Sequence, residues 1–175
     1  MAASSRLGNQ LTEIVSTLAA AGAPFALIGG LALAPHKVVR ATQDIDLLRD
    51  AAMADAVHDA LLGLGYQCLH RSADAGNYQR GDERVDFIYA HRPAAMRMLR
   101  NAKARATEFG VLQVVSAEGL IGLKLQGYCN DPRRTQDLAD IRTLIAANRD
   151  LLDVSEVREY FRVFRQDSLF EELLG

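Results

Sequence analysis

The sequence predicts an α/β (α+β) fold, a mixed central β-sheet flanked by helices and ending in a C-terminal helical tail. Three observations predict it. β-Prone runs cluster before residue 115, and helical periodicity fills most of the chain after it. An apolar run ends in Gly29-Gly30, and a second run over residues 42–48 carries two aspartates one residue apart. Gly81-Asp82 separates two further β-prone arms, as in a tight hairpin. Strands and helices do not alternate regularly, which excludes a doubly wound parallel sheet.

Each element is explained by local chemistry. Leu7, Leu11, Ile14, Val15 and Leu18 recur at helical spacing, and Gly22 is a stop. Residues 24–28 read as a buried strand, residues 30–35 as a short helix, and His36-Lys37 as a turn. The carboxylate strand at 42–48 comes next. Asp50 is placed to cap a helix with an inward stripe of Met53, Val57, Ala60, Leu61 and Leu64, closed by Gly65. Residues 66–70 form a strand, then 77–80 and 83–90 form the hairpin arms. In the second arm Val85, Phe87 and Tyr89 share one face, and Arg84, Asp86 and Ile88 the other. A helix spans 93–103 and a strand 111–115. Helices are expected at 116–128, 134–148, 155–165 and 167–174.

The 175 residues suit one domain, with a core at about 23–115 and the tail at 116–175. The composition, 49% hydrophobic and 24% charged, is that of a globular protein. A formal net charge of −2 gives no bulk sign of a nucleic-acid binder, although residues 71–108 hold eight Lys/Arg against five Asp/Glu. Cys68 and Cys129 are too few for a disulfide framework or a metal-ligand cluster, and His36, His58, His70 and His91 show no ligand spacing. No signal-like run opens the chain and no segment is apolar enough to span a bilayer, so a cytoplasmic location and no membrane partner are expected.

The chemistry is carried by acids. On a strand, Asp44 and Asp46 point the same way. Two adjacent carboxylates repel, and hard oxygen ligands of this kind suit Mg²⁺ or Mn²⁺. Gly29-Gly30 brings bare backbone to the mouth of a helix, a place for phosphate. Asp86 stands in the apolar run Val85-Asp86-Phe87, where burial is costly without a partner. If its strand lies beside that of Asp44 and Asp46, three carboxylates converge to hold metal and accept a proton. A salt bridge to Arg84 is the alternative. In the tail, Lys124 falls inside the stripe of Ala117, Ile121 and Tyr128, edged by Leu120 and Leu125. Arg134 and Asp137 fall in or beside the stripe of Leu138, Ile141, Leu144 and Ile145. Either they form a buried ion-pair cluster, or Lys124 and Arg134 reach phosphate. Arg40 and Thr42 flank the acids, and Arg40 is placed for phosphate or for Asp44 or Asp46.

These residues together, Gly29-Gly30-x-Ala32, Arg40-x-Thr42-x-Asp44-Ile45-Asp46-Leu47 and Val85-Asp86-Phe87, resemble the polymerase-β-type nucleotidyltransferase superfamily. More narrowly they are similar to the AbiEii-type toxin nucleotidyltransferases. The pattern continues as Glu118-Gly119-Leu120-Ile121-x-x-Lys124 and Arg134-x-x-Asp137-Leu138-x-Asp140-Ile141, so the resemblance runs from about residue 25 to residue 144. Gly30 stands where many members have serine, which removes one phosphate contact. A larger C-terminal substrate domain found in some relatives is not expected.

The resemblance implies transfer of NMP from an NTP to a hydroxyl. Asp44, Asp46 and Asp86 would hold the metal, with Asp86 also as base. Gly29, Gly30, Arg40, Thr42, Lys124, Arg134 and Asp137 would serve the nucleotide, and Lys124 would neutralise transition-state charge. It also implies an RNA acceptor such as a tRNA end, and an antitoxin protein as partner. Arg92, Arg97, Arg100, Lys103 and Arg105 offer a basic stretch for a phosphate backbone. A small hydroxylated acceptor, as in the antibiotic nucleotidyltransferases, and a non-catalytic binding module of the same fold are the alternatives.

Overall fold

The computed structural model describes residues 5–175. Its contacts divide into two compact units. The first comprises Met1–Leu31 and Ala41–Val115, and the second Ala32–Arg40 and Ser116–Gly175.

The first unit is built on one seven-stranded sheet. Helix α1 (Arg6–Ala20) starts at Ser5, whose hydroxyl accepts from the Gly8 amide, and buries Leu11, Ile14 and Leu18. Strand β1 (Phe25–Ile28) is next. Strand β2 (Ile45–Asp50) leads through Asp50, whose carboxylate accepts from the Ala52 amide, into α2 (Ala54–Gly63). The remaining strands are β3 (Gln67–Arg71), β4 (Ala75–Arg80), β5 (Glu83–Ala90), β6 (Lys103–Thr107) and β7 (Gly110–Val114), with α3 (Pro93–Arg100) before β6.

The sheet order is β3-β4-β5-β2-β1-β7-β6. Two pairings are parallel, β2 with β5 and β1 with β7, and the other four are antiparallel. This is the expected mixed sheet. Alternation sends Leu27, Leu47, Arg49, Val85, Phe87 and Tyr89 to one face, all but Arg49 apolar. Asp46 and Asp86 stand on the other.

Strand β2, expected at 42–48, is found at Ile45–Asp50, and two further elements differ from the sequence reading. The stretch after Gly29 does not form the expected helix. It runs through turns into a single 3₁₀ turn at Ala34–His36. Pro35 removes an amide donor, and Lys37 at φ 66° turns the chain out of helical geometry. Likewise α3 ends at Arg100 and Lys103 opens β6. The β6–β7 hairpin closes at Gly110, φ 106°.

The second unit is helical. Ser116 caps α4 (Ala117–Asn130) by accepting from the Gly119 amide, and Asp153 caps α6 (Val154–Val163) through the Glu156 amide. Between them lies α5 (Thr135–Asn148), and α7 (Asp167–Leu174) ends the chain. A Cβ at Gly122 would sit 2.9 Å from the Tyr160 ring, so this glycine sets how closely α4 meets α6. Leu138 is only half-buried, while Asp137 and Asp140 are buried beside Ile141, Leu144 and Ile145. Among the described residues no helix is long and apolar enough to cross a membrane.

Candidate active site

Strand register decides which acids meet. β2 and β5 run parallel with Asp46 opposite Asp86. Paired strands are about 4.8 Å apart, so the two carboxylates leave the same face side by side. β4 pairs with β5 so that Asn77 lies opposite Asp86, and its amide Nδ2 donates to Asp86 Oδ1 at 2.7 Å. This bond fixes the orientation of the Asp86 carboxylate. Arg84, the alternative partner read from the sequence, is exposed.

Gly29 completes this corner. It comes directly after β1 at φ 65°, a conformation that L side chains rarely adopt. A Cβ there would lie 2.6 Å from the Asp46 Cβ and would overlap its carboxylate. Backbone therefore passes directly against Asp46. The bare chain with a left-handed residue survives, but the helix mouth expected beyond it does not.

Asp44 departs from the sequence reading as well. It precedes β2 and is exposed, so strand alternation governs Asp46 and not Asp44. Among the described residues no group of three His, Cys, Asp or Glu side chains is gathered for a metal. The donors that do meet, two carboxylates in register, are the hard oxygens that Mg²⁺ or Mn²⁺ favours, so the residues fit such an ion as a partial shell. Thr42, half-buried, lies in the same unit on the segment leading into Asp44.

The other site residues lie in the second unit as a dense ion-pair cluster. Lys124 Nζ lies 2.7 Å from Asp140 Oδ2 and 3.5 Å from Asp137 Oδ1. Arg40 Nε is 3.2 Å from Asp140 Oδ1, to which Gln136 Nε2 also donates at 2.9 Å. Arg134, at the cap of α5, donates from Nε to Asp137 Oδ2 at 2.7 Å. Lys124 and Asp137 are each 7% exposed and Asp140 only 2%. A Cβ at Gly127 would come within 2.7 Å of Asp137 Oδ2, so this glycine makes room for the pair. Lys124 and Arg134 are thus ion-paired with Asp137 and Asp140.

No family model matches the sequence, and no curated protein matches it. Solved structures do match in shape. The solution structure of the antibiotic-resistance factor ANT(2'')-Ia superimposes with a TM-score of 0.71 at 16% identity, covering 97% of each chain. Its crystal form in complex with adenylyl-2''-tobramycin gives 0.69 at 17% identity, covering 94% of this chain and 99% of that one. The fold is that of the nucleotidyltransferases. A third match, the lincosamide antibiotic adenylyltransferase LnuA bound to lincomycin, gives 0.59 at 18% identity over 79% of this chain and 96% of that one.

The structure thus brings Gly29, Asp46 and Asp86 together in one unit, and Lys124, Arg134 and Asp137 together in the other. The sequence reading missed Asn77. Its signal was present: a two-residue turn at Gly81-Asp82 pairs Arg80 with Glu83, and counting back from there pairs Asn77 with Asp86. It also underrated Asp140, which accepts three of the cluster's contacts.

Proposed function

We propose that the chain is a nucleotidyltransferase that moves NMP from an NTP to a hydroxyl acceptor. The observation that carries this reading is Asp46 beside Asp86 in parallel register, with the carboxylate of Asp46 lying against Gly29. In this proposal Asp46 and Asp86, joined by Asp44, hold Mg²⁺ or Mn²⁺, which when bound screens the charge of the triphosphate. The backbone at Gly29-Gly30 contacts the β- and γ-phosphates. A turn with a left-handed residue directs amides into a concavity suited to anions, as a helix mouth does.

Asp86, steadied by Asn77, accepts the proton of the attacking hydroxyl. The new bond forms between the acceptor oxygen and the α-phosphorus, the α–β bridge breaks, and pyrophosphate leaves. Thr42, Arg40, Lys124, Arg134 and Asp137 belong to the same proposal in the nucleotide-binding role that the motif implies.

For the acceptor we propose an RNA end such as that of a tRNA, with a toxin–antitoxin setting, an antitoxin partner and a cytoplasmic location, on the strength of the sequence motifs. The second reading is a small hydroxylated molecule. It is favoured by the shape match to a protein solved with adenylyl-2''-tobramycin and to one solved with lincomycin.

The test needs no acceptor. Thermal stability is measured with each of four NTPs, with and without Mg²⁺, for the wild type and Asp46→Asn. A bound nucleotide at about a hundred times its Kd adds about 2.7 kcal/mol. The expected result is a Mg²⁺-dependent shift that the variant loses. No shift with any NTP at millimolar concentration would leave the fold as a non-catalytic binding module.

A further inference from the structure

A cavity of about 500 Å³ opens in the first unit at the end of β1 away from the carboxylates. Phe25, which lines it, is the first residue of β1, while Ile28, the last, pairs with Asp46. Three residues of strand, about 10 Å, separate the two ends. The volume is within the range of small-molecule pockets, about 300–1,000 Å³.

Its walls are apolar with two polar exceptions. Ala23, Pro24, Phe25, Leu99 and Ala102 are the apolar lining residues, and Arg100 and Gln113 the polar ones. Arg100 is exposed, and no Asp or Glu occurs between Asp86 and Glu108.

A second observation points to the same ligand charge. Arg49 is fully buried on β2 opposite Phe25, with its guanidinium carbon 5.7 Å from the Phe25 ring centroid. Its Nη2 makes one long bond of 3.4 Å to the Leu18 carbonyl, while Nε and Nη1 have no hydrogen-bond partner among the described residues. Burial lowers its pKa, and Asp50 partly offsets that. A buried cation with unmet donors is costly. Phe25 joins the two features, since it lines the cavity and its ring centroid lies 5.7 Å from this guanidinium carbon.

We propose that the cavity is a second ligand site, separate from the carboxylate pair, for a flat apolar molecule carrying one anionic group. The ring lies against Phe25 and Leu99. The anion pairs with Arg100 and takes an amide hydrogen bond from Gln113. Arg49 adds a positive field from beneath, in a low-dielectric setting where charge acts strongly. The site does not depend on the transferase reading.

The test uses 8-anilinonaphthalene-1-sulfonate, an aromatic anion that fluoresces when bound, with the full chain. Displacement is measured with 2-naphthoate, with its neutral amide and with AMP, which carries the same ring-plus-anion chemistry in a nucleotide. The expected results are one saturable site, Kd weakened about tenfold by Arg100→Glu (about 1.4 kcal/mol), and loss of binding when Ala102→Leu fills the cavity. The amide should displace about tenfold less well than the acid. Arg49→Met should weaken binding without lowering thermal stability, which separates a field effect from damage to the fold. Asp46→Asn should leave binding unchanged. Displacement by AMP as well as naphthoate would identify the ligand as a nucleotide, and displacement by naphthoate alone as a simpler organic acid. Equal probe binding by the wild type, Arg100→Glu and Ala102→Leu would overturn the proposal, as would equal displacement by acid and amide.

Discussion

The two units treat carboxylates in opposite ways. In the first, strand register sets Asp46 beside Asp86, so like charges are neighbours by construction. In the second, Asp137 and Asp140 are matched by Lys124, Arg134 and Arg40 at 2.7–3.5 Å. Such buried opposite charges depend on each other, and removing one partner is expensive because it leaves the other uncompensated. Like charges in register repel each other, and a bound cation would offset that repulsion. The contrast teaches that one sequence motif can set carboxylates beside each other in one unit and beside cations in the other.

The largest test of this contrast is Asp46→Asn or Asp86→Asn. Either should cut nucleotidyl transfer by about a thousandfold, some 4 kcal/mol at the transition state, with the thermal midpoint unchanged or raised. A fall in stability comparable to the loss of rate would erase the distinction. On the other side, Lys124→Met should cost about 3 kcal/mol of stability, read by urea unfolding, because two buried aspartates lose their shared cation. Arg134→Ala, on a side chain 60% exposed, should cost under about 1 kcal/mol in the same assay.

Gly29→Ala comes next, at about 2 kcal/mol from the left-handed backbone alone, together with loss of the nucleotide-induced thermal shift as the methyl displaces Asp46. The smallest effect is on pH dependence. Burial pushes the Tyr78 and Tyr89 hydroxyls above their ordinary pKa. The folded chain then keeps protons that the unfolded chain releases above about pH 10, so stability present below that pH falls as pH rises further. Tyr78→Phe should flatten the fall above about pH 10 in denaturant titrations, while leaving the Mg²⁺–nucleotide shift at neutral pH intact.

Much of this architecture was legible in the sequence because local chemistry and tertiary structure agree. Ser116 and Asp153 cap helices that periodicity marks, and Gly81-Asp82 makes the hairpin that the alternating arms require. Asp46 and Asp86 were legible as acids in apolar strands, but their pairing depends on the parallel register of β2 and β5, which no local signal encodes. Strand β6 was not legible. Lys-Ala-Arg-Ala-Thr has little β-preference of its own, and it is a strand because β7 offers it a ladder. The helix expected after Gly29-Gly30 failed for the opposite reason, since Pro35 and the left-handed Lys37 outweigh an apolar pattern. Asp140 escaped because inward direction on α5 is set by the cations that meet it, Arg40 among them, a hundred positions away in the chain.

The parallel pairing of β1 with β7 joins Leu27 to Val114. Translation proceeds at about 5–20 residues per second, so the ribosome delivers β7 several seconds after β1. For that interval β1 has antiparallel β2 on one flank and an open row of amides and carbonyls on the other, on a strand spelled Phe-Ala-Leu-Ile. Such an edge is a template for pairing with another nascent chain. Yield from the cell should therefore fall with expression rate and temperature more steeply than the stability of the finished protein would suggest.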